Sequence, residues 1–308
     1  MEGEIQALKI RSKDLLTGAE LDRKEILGII ESAIRLKKGG RSKAHPLDGR
    51  TLAMVFQKPS TRTRVSFAAG MFQLGGEAIY LPPGDMQLSR GETIPDTARA
   101  LSGYVDVIVA RVFGHETIEE IAASASVPVI NGLSDTFHPC QILADLMTIK
   151  ERKGRLKGLR AAWIGDGNNV CNSLLYGCAA VGIDISVATP AVFRPIPGVV
   201  DKCRESIDVK LTTDPAEAAA GADIVFTDTF ASIHNMDKER ERKFLPKYRV
   251  NAPLMKKAAD DAIFMHCLPA KRGQEVDGEV IDGPQSAVWD EAENRLHSQK
   301  ALLLALGI

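Results

Sequence analysis

Short apolar runs alternate with amphipathic stretches along most of the chain. In the first half, four mostly apolar runs have the length of buried strands: Thr51–Phe56, Glu77–Leu81, 105–110 and 127–130. The stretches between them carry apolar residues at helical spacing and include 65–74, 93–101 and 117–125. This alternation predicts a parallel β-sheet with helices on both of its faces.

The same pattern begins again after a polar segment at 150–155. The second series of predicted strands is Arg160–Ile164, Asp184–Ala188, Ile224–Thr227 and 262–265, with helices between them. Further helices are predicted at 15–36, 140–151 and 291–306, the first of them ending near Gly39-Gly40. The chain is therefore predicted to be an α/β protein with two doubly wound parallel-sheet domains, divided at the polar segment.

The composition is that of an ordinary globular protein, and it argues against several functional classes. Charged residues make up 26% of the 308 positions and hydrophobic ones 44%, with a formal net charge of −1. This charge gives no support for nucleic-acid binding or for a basic membrane contact. No apolar run approaches the ~20 residues of a membrane span. The start of the chain, with Glu2 and Glu4, lacks the apolar core of a signal peptide.

The cysteines point to a reducing compartment. There are five of them, an odd number, and no two form a Cys-x-x-Cys pair. We therefore expect a cytoplasmic protein without a disulfide framework or a structural zinc site.

Polar candidates follow the predicted strands at their carboxyl ends, where open parallel sheets bind ligands. They are Ser60, Gln87, Arg111 and His138 in the first half, and Asn169, Asp228 and Cys267 in the second. Because these residues gather at one edge of each predicted domain, we expect an active site between the two domains.

The segment Ser60-Thr61-Arg62-Thr63 lies between the first strand and the helix that follows it. A helix start offers unpaired backbone N–H groups and a partial positive charge, which favour an anion. The three hydroxyl groups and the forked guanidinium of Arg62 suit phosphate oxygens. The segment predicts a phosphate site, and the alternative is an ordinary N-capped helix with two solvated arginines, Arg62 and Arg64.

Several other side chains could act on a carbonyl group or an amine. Arg111 could stabilise charge that develops on a carbonyl oxygen. His138 could donate to that oxygen, and Gln141, one turn later, could orient an amide. Asp228 could pair with an ammonium group. The residues alone leave other interpretations open: a solvated strand end, helix caps, and simple packing for Cys267.

Two stretches come near cofactor or metal motifs without meeting their requirements. The segment Gly165-Asp166-Gly167-Asn168-Asn169 lacks the Gly-x-Gly-x-x-Gly spacing, and no acidic residue ends the next strand, so we do not expect a nicotinamide cofactor. Its amides could instead hold the carboxylate or amine of an amino acid. His234 has neither a His-x-x-x-His partner nor a cysteine pair, so a metal site is not expected.

Four motifs in order resemble the aspartate/ornithine carbamoyltransferase family. They are Ser60-Thr61-Arg62-Thr63-Arg64, His138-Pro139-Cys140-Gln141, Asp228 with Ser232, and His266-Cys267-Leu268-Pro269. The last two resemble the ornithine branch of the family. The resemblance extends over nearly the whole chain.

This resemblance implies a role for each candidate residue. Positions that bind the phosphate of carbamoyl phosphate are matched by Ser60, Thr61, Arg62 and Thr63. Positions that hold the carbamoyl group and the remaining oxygens are matched by Arg111, His138, Gln141, Cys267, Leu268 and Arg295. Ornithine-binding positions are matched by Asn169, Asp228, Ser232 and Ile233. Gln87 matches a position that reaches into the site of a neighbouring subunit.

The resemblance also implies an assembly and a reaction. The assembly would be a homotrimer, or a multiple of trimers, with shared active sites. A carbamoyl-phosphate-binding domain at 1–150 would be completed by the C-terminal helix at 288–308, and residues 151–287 would form the ornithine-binding domain. The reaction would be direct transfer of the carbamoyl group to the δ-amine of L-ornithine without metal or cofactor, with Arg111, His138, Cys267 and Asp228 as the catalytic residues.

One motif departs from the family pattern. The ornithine loop of the family has the sequence Ser-Met-Gly, whereas this chain has Ser232-Ile233-His234. Histidine lacks the conformational freedom of glycine at positive φ, so the loop is expected to close differently. Putrescine is therefore the alternative acceptor, and a non-catalytic two-domain protein that binds an amino acid is the alternative from another functional class.

Overall fold

The computed structural model of the protein describes residues 9–39, 45–230 and 238–308. The chain divides into two compact units. The first unit comprises the described residues up to Met147 together with Asn294–Ile308, and the second comprises Thr148–Glu293.

The first unit is built on a four-stranded parallel sheet in the order β2-β1-β3-β4. Its strands are β1 (Thr51–Phe56), β2 (Glu77–Leu81), β3 (Val107–Arg111) and β4 (Val129–Leu133). Its helices are α1 (Arg23–Lys38), α2 (Thr61–Leu74), α3 (Ile94–Ser102), α4 (His115–Ser124) and α5 (Pro139–Lys153) as far as Met147.

Residues next to helix α2 in the sequence set both of its ends. Ser60 has extended backbone angles, and its hydroxyl oxygen accepts from the backbone N–H of Thr63 at 3.3 Å, which caps the helix start. Gly75 ends the helix with φ +91°, a left-handed conformation that favours glycine. The cap fixes the helix start directly beyond β1, at the carboxyl edge of the sheet.

The end of β3 shapes the same edge. The pairing of β3 with β4 shifts register after Ala110, which lies opposite Asn131, so that Arg111 lies opposite Leu133. The backbone N–H of Gln57 donates to the carbonyl oxygen of Arg111 at 2.8 Å. These contacts tie the ends of β1 and β3 together and hold Arg111 at the edge where the helix start of α2 lies.

The second unit contains a five-stranded parallel sheet in the order β7-β6-β5-β8-β9. The strands are β5 (Arg160–Ile164), β6 (Asp184–Ala188), β7 (Val209–Thr212), β8 (Ile224–Thr227) and β9 (Ile263–His266). The helices are α6 (Asn169–Val181), α7 (Pro197–Arg204), α8 (Pro215–Ala219), α9 (Lys238–Arg242), α10 (Ala252–Met255), α11 (Gly278–Ile281) and α12 (Val288–Leu306), whose residues from Asn294 onward belong to the first unit.

Aromatic stacking supports the core beside β5 and β8. The ring of Phe244 stacks on Phe230 with centroids 4.7 Å apart and on Phe193 at 4.9 Å. Such pairs add to the stability that burial of their surface provides.

The predicted fold class is confirmed, because both units are α/β structures with parallel sheets. The predicted strands with the observed bounds are Thr51–Phe56, Glu77–Leu81, Arg160–Ile164, Asp184–Ala188 and Ile224–Thr227. The strands predicted at 105–110, 127–130 and 262–265 are displaced by one to three residues. The prediction missed β7, in which only Val209 is buried and which lacks the apolar run of a central strand.

The predicted helix at 15–36 is wrong in its first turns, because α1 begins only at Arg23. The carboxylate of Asp22 accepts from the backbone N–H of Glu25 at 2.8 Å, and the carboxylate of Glu25 accepts from that of Asp22 at 2.9 Å. This capping box sets the start of the helix. Leu15 forms a short β-bridge with Ile130 instead.

The predicted break at 150–155 is also partly wrong, since α5 continues to Lys153. The ammonium of Lys153 lies 2.6 Å from the carboxylate of Asp261 within the second unit. The non-helical part of the polar segment is therefore shorter than its composition indicates.

Among the described residues, no helix combines the length and the apolar character needed to cross a membrane.

The capping box of α1 generates a stability prediction. Asp22→Ala removes the side-chain oxygen that caps the helix, and we expect it to lower the free energy of unfolding by about 1 kcal/mol. Asp22→Asn keeps a capping oxygen and should cost less. Urea unfolding followed by circular dichroism measures both variants, and equal losses for Ala and Asn would contradict a capping role.

Candidate active site

The start of α2 presents polar and cationic side chains at the carboxyl edge of the first sheet. Thr61 and Arg62, in the first turn, are exposed, whereas Thr63 is buried. Arg64 is exposed as well, and its guanidinium lies 3.9 Å from the ring centre of Tyr80 on β2. Arg62 is thus exposed at the helix start, whereas Arg64 contacts the neighbouring strand through the ring of Tyr80.

A buried lysine lies just before this helix. Lys58 is 1% exposed, and its ammonium is 4.1 Å from the ring centre of Phe113. Burial, and then the charge of Arg111, lower the pKa of Lys58 to about 8, against the opposing effect of Asp135. Lys58 was not among the residues predicted from the sequence, although its position two residues before Ser60 was a usable signal.

His138 is a buried and neutral imidazole. Burial is the main cause that lowers the pKa of His138 well below 6.5, and the positive charges of Arg295, Arg111 and Arg62 lower it further. Because a neutral imidazole carries one N–H, His138 at neutral pH can donate through one ring nitrogen and accept through the other.

Arg295 connects the last helix to this edge. It lies in the part of α12 that belongs to the first unit, and it is 4% exposed. Its Nη1 donates to Gln141 Oε1 at 2.7 Å, and its Nη2 donates to Thr63 Oγ1 at 3.3 Å. The structure thus brings together three predicted site residues that are far apart in the sequence.

The second unit has a carboxylate at the corresponding edge of its own sheet. Asp228 follows β8 and is 7% exposed. Its Oδ2 accepts from Asn168 Nδ2 at 2.7 Å, and its Oδ1 accepts from Cys267 Sγ at 3.2 Å and from the backbone N–H of Thr229 at 2.7 Å. These donors fix the carboxylate beside the thiol of Cys267.

Asn168 lies in the segment whose amides were expected to hold an amino acid, but the residue singled out there was the neighbouring Asn169. The side-chain oxygen of Asn168 accepts from the backbone N–H groups of Val170 and Cys171 and so caps α6. Its amide nitrogen is thereby directed to Asp228. Asn169 is the first residue of α6 and is buried. The usable signal was the position of Asn168 between a strand and a helix, where a capping asparagine is common.

The turn after β9 is held by two buried side chains. Leu268 has φ +58°, which is costly for a residue with a side chain. Its backbone N–H donates to His266 Nδ1 at 2.9 Å, and His266 Nε2 lies 3.2 Å from Glu275 Oε1, which also accepts from the backbone N–H of Lys271 at 2.6 Å. The pair formed by His266 and Glu275 therefore stabilises the turn that carries Cys267.

These two sets of side chains can be compared with known proteins. Residues 13–151 match the family model described as "Aspartate/ornithine carbamoyltransferase, carbamoyl-P binding domain", and residues 157–306 match the one described as "Aspartate/ornithine carbamoyltransferase, Asp/Orn binding domain". An ornithine carbamoyltransferase of Bacillus subtilis is 52% identical over 306 residues, which cover 96% of this chain and 93% of the relative. The chain belongs to the aspartate/ornithine carbamoyltransferase family.

Solved structures of this family agree with the fold. The ornithine carbamoyltransferase from Pyrococcus furiosus superposes with a TM-score of 0.90 at 50% identity, covering 95% of this chain and 96% of that one. The ornithine carbamoyltransferase from Thermus thermophilus gives a TM-score of 0.89 at 43% identity, covering 96% and 99%.

Three predicted site residues do not belong to the groups of side chains described above. Gln87 is exposed on a short 3₁₀ helix, Gln87–Arg90, after β2. Ser232 and Ile233, like His234, lie outside the described residues. Their roles stay predictions.

One group of side chains in this carbamoyltransferase resembles a metal site. Ligand-type atoms of Asp228, His266 and Cys267 lie within 4.8 Å of one another. Both ring nitrogens of His266 are engaged, however, Nδ1 with Leu268 and Nε2 with Glu275. A metal ion would have to displace one of these hydrogen bonds, so the group does not fit a resident metal.

The burial of His138 generates a pH prediction. The pKa of His138 is lowered in the folded protein, so between pH 6.5 and that lower pKa the unfolded chain binds one proton more than the folded protein. The stability that His138 contributes above pH 6.5 is therefore lost as the pH falls through this range.

His138→Gln should remove this dependence. We expect the stability of the wild type to fall more steeply below pH 6.5 than that of the variant, by up to about 1.4 kcal/mol per pH unit. Urea unfolding at several pH values between 5 and 7 measures the two slopes. Parallel slopes would contradict a neutral, buried His138.

Proposed function

We propose that this protein transfers the carbamoyl group of carbamoyl phosphate to the δ-amine of L-ornithine, giving L-citrulline and phosphate. The observation that carries the proposal is the carboxylate of Asp228, held by Asn168 and Cys267 in the unit whose family model describes Asp/Orn binding. A carboxylate held by neutral donors suits an ammonium-bearing acceptor. The ornithine carbamoyltransferases that this chain resembles at about 50% identity support the same acceptor.

The first unit has the charge that carbamoyl phosphate requires. Its described site residues at the sheet edge are cationic or hydrogen-bond donors, and burial strengthens their interaction with an anion. We assign the phosphate to Ser60, Thr61, Arg62 and Thr63. We assign the carbamoyl group and remaining oxygens to Arg111, His138, Gln141, Cys267, Leu268 and Arg295.

The proposed chemistry is direct acyl transfer. A neutral δ-amine attacks the carbamoyl carbon, and Arg111, neutral His138 and the hydroxyl of Thr63 stabilise the oxyanion that forms. The bond from carbon to the phosphate oxygen then breaks, and phosphate leaves into the Ser60–Thr63 segment. Asp228 and Cys267 position the amine and help to remove its proton, which the carboxylate of Asp228 accepts. Bringing two bound reactants together accounts for much of the rate enhancement, because it can lower the activation barrier by up to ~7–11 kcal/mol.

The charge of the second unit decides between possible acceptors. Aspartate would bring two carboxylates and would require cations near Asp228. Ornithine brings an ammonium group, which Asp228 can pair, and a single carboxylate, which amides can hold. We assign the binding of ornithine to Asn169, Asp228, Ser232 and Ile233. Putrescine has no carboxylate and would leave those positions unused.

A comparison of three acceptors tests the proposed function. We expect kcat/KM to be highest for ornithine, lower for putrescine and negligible for aspartate, as measured by product formation with carbamoyl phosphate. Asp228→Asn should lower kcat/KM for ornithine by ~100-fold or more, because the ammonium group loses its charge partner in a desolvated site.

Asp223→Asn provides a matched control in the same unit. Asp223 precedes β8, whereas Asp228 follows it, and its carboxylate accepts from the backbone N–H of Arg160 at 2.8 Å. The control should keep the kinetic constants of the wild type. A higher kcat/KM for putrescine or aspartate than for ornithine would refute the assignment of the acceptor.

We also propose a homotrimer, or a multiple of trimers, in which Gln87 serves the site of a neighbouring subunit. Large apolar side chains of the first unit are exposed, among them Phe72 at 76% and Tyr104 at 78%. These side chains offer apolar surface for a contact between subunits. That three subunits form the assembly is inferred from the family resemblance.

Hybrid assemblies test the shared site. Gln87→Ala and Asp228→Asn should each lose most activity alone. If each site takes Gln87 from one subunit and Asp228 from another, a random equal mixture of the variants should regain about a quarter of the wild-type activity. Mixing Asp228→Asn with Cys267→Ala, which change the same part of one subunit, should regain none. Absence of recovery in the first mixture would contradict sharing.

Two further assignments belong to this proposal. All five cysteines are free thiols, which favours the reducing cytoplasm. Formation of citrulline from ornithine would place the protein in arginine metabolism.

A further inference from the structure

A buried carboxylate follows Gln141 by one helical turn on α5. Asp145 is 1% exposed, and its Oδ1 accepts from Gln141 Nε2 at 2.8 Å. The spacing of four residues places the two side chains on the same face of the helix. Gln141 is equally buried, at 1%.

The amide nitrogen of Gln141 has an acceptor as its partner, and the amide oxygen has a donor. The nitrogen faces the carboxylate of Asp145, and the oxygen faces Arg295 Nη1 at 2.7 Å. A carboxylate accepts hydrogen bonds and a guanidinium only donates them, so both partners require the same orientation of the amide. Rotating the amide by 180° would set donor against donor at Arg295 and acceptor against acceptor at Asp145.

The orientation of the amide determines what Gln141 offers to a ligand. An amide oxygen has two lone pairs, so Oε1 can accept from Arg295 and from a ligand N–H at the same time. The carbamoyl group ends in NH₂, whereas the acetyl group of similar shape ends in a methyl that cannot donate. A buried acceptor left without a donor costs binding free energy, so the fixed oxygen favours the amino group.

We propose that Asp145 is a positioning residue that makes the site selective for carbamoyl phosphate over other acyl phosphates. It acts through Gln141, whose oxygen it keeps directed toward the ligand and Arg295. This inference rests on the proposed function and adds a residue to it that does not itself touch the substrate.

Two inhibitors of the same shape test the inference. Phosphonoacetamide carries the terminal NH₂, and 2-oxopropylphosphonate carries a methyl group in its place. We expect the wild type to prefer the amide by ~10-fold or more, since a site built for a donor rejects an analogue that lacks it. Isothermal titration calorimetry gives the ratio of the two dissociation constants, which does not depend on the fraction of protein that is folded.

Two variants of Asp145 should change this ratio to different degrees. Asp145→Leu removes the acceptor at similar volume, and the preference should fall to less than ~3-fold. Asp145→Asn keeps an oxygen that can accept from Gln141, and it should retain an intermediate preference. Affinity for inorganic phosphate, which has no carbamoyl group, should change by less than ~2-fold in both variants. If the leucine variant does not fold, the test rests on whether the asparagine variant prefers the amide less than the wild type does.

Asp14→Asn is the control for loss of a carboxylate in the first unit. Asp14 Oδ1 accepts from the backbone N–H of Val129 at 2.8 Å, so the change should affect stability and leave the ratio of dissociation constants unaltered. The inference is overturned if the wild type shows no preference, if the Asp145 variants keep the full preference, or if they lose phosphate affinity to the same extent. Failure of the wild type to form citrulline would refute the proposed function, and this outcome is measured separately.

Discussion

Buried positive charge at the carboxyl edge of the first sheet is the constraint on which the site of that unit depends. Lys58, Arg111 and Arg295 are all at most 8% exposed. Removing a cation from water costs several kcal/mol unless another charge compensates. Burial, and then neighbouring positive charge, lower the pKa of Lys58 to about 8 and hold the pKa of His138 well below 6.5. Buried cations attract an anion more strongly than exposed ones do, and this supports the proposal that the first unit binds the phosphate.

In the second unit, a buried carboxylate is held by neutral hydrogen-bond donors. Asp228 is buried too, but its oxygens accept from an amide, a thiol and a backbone N–H group, none of which carries a formal charge. Such donors stabilise the carboxylate while leaving its negative charge available to a cation. The two units thus differ in the sign of charge that they present, and this difference supports one anionic and one ammonium-bearing substrate.

Helix α5 shows how periodicity organises chemistry in the first unit. His138 immediately precedes the helix, Gln141 lies in its first turn, and Asp145 follows one turn later. Spacing of three and four residues sets these side chains along one face, so a short segment supplies a neutral imidazole, an amide and the carboxylate that orients it. The hydrogen bonds with Asp145 and Arg295 maintain the orientation of the Gln141 amide.

Several features of this protein were determined by the sequence itself. Alternating apolar runs fixed the α/β class, Gly75 fixed the end of α2, and four short motifs carried the family resemblance. These features depend on residues close together in the chain, whose hydrogen bonds and periodicity are local. Tertiary structure decided the rest. Arg295 meets Gln141 across 154 residues, Asn168 rather than Asn169 holds Asp228, and Lys58 is buried under Phe113. Burial and charge coupling arise from packing between distant segments, so neighbouring residues could draw attention to Lys58 and Asn168 but could not predict these contacts.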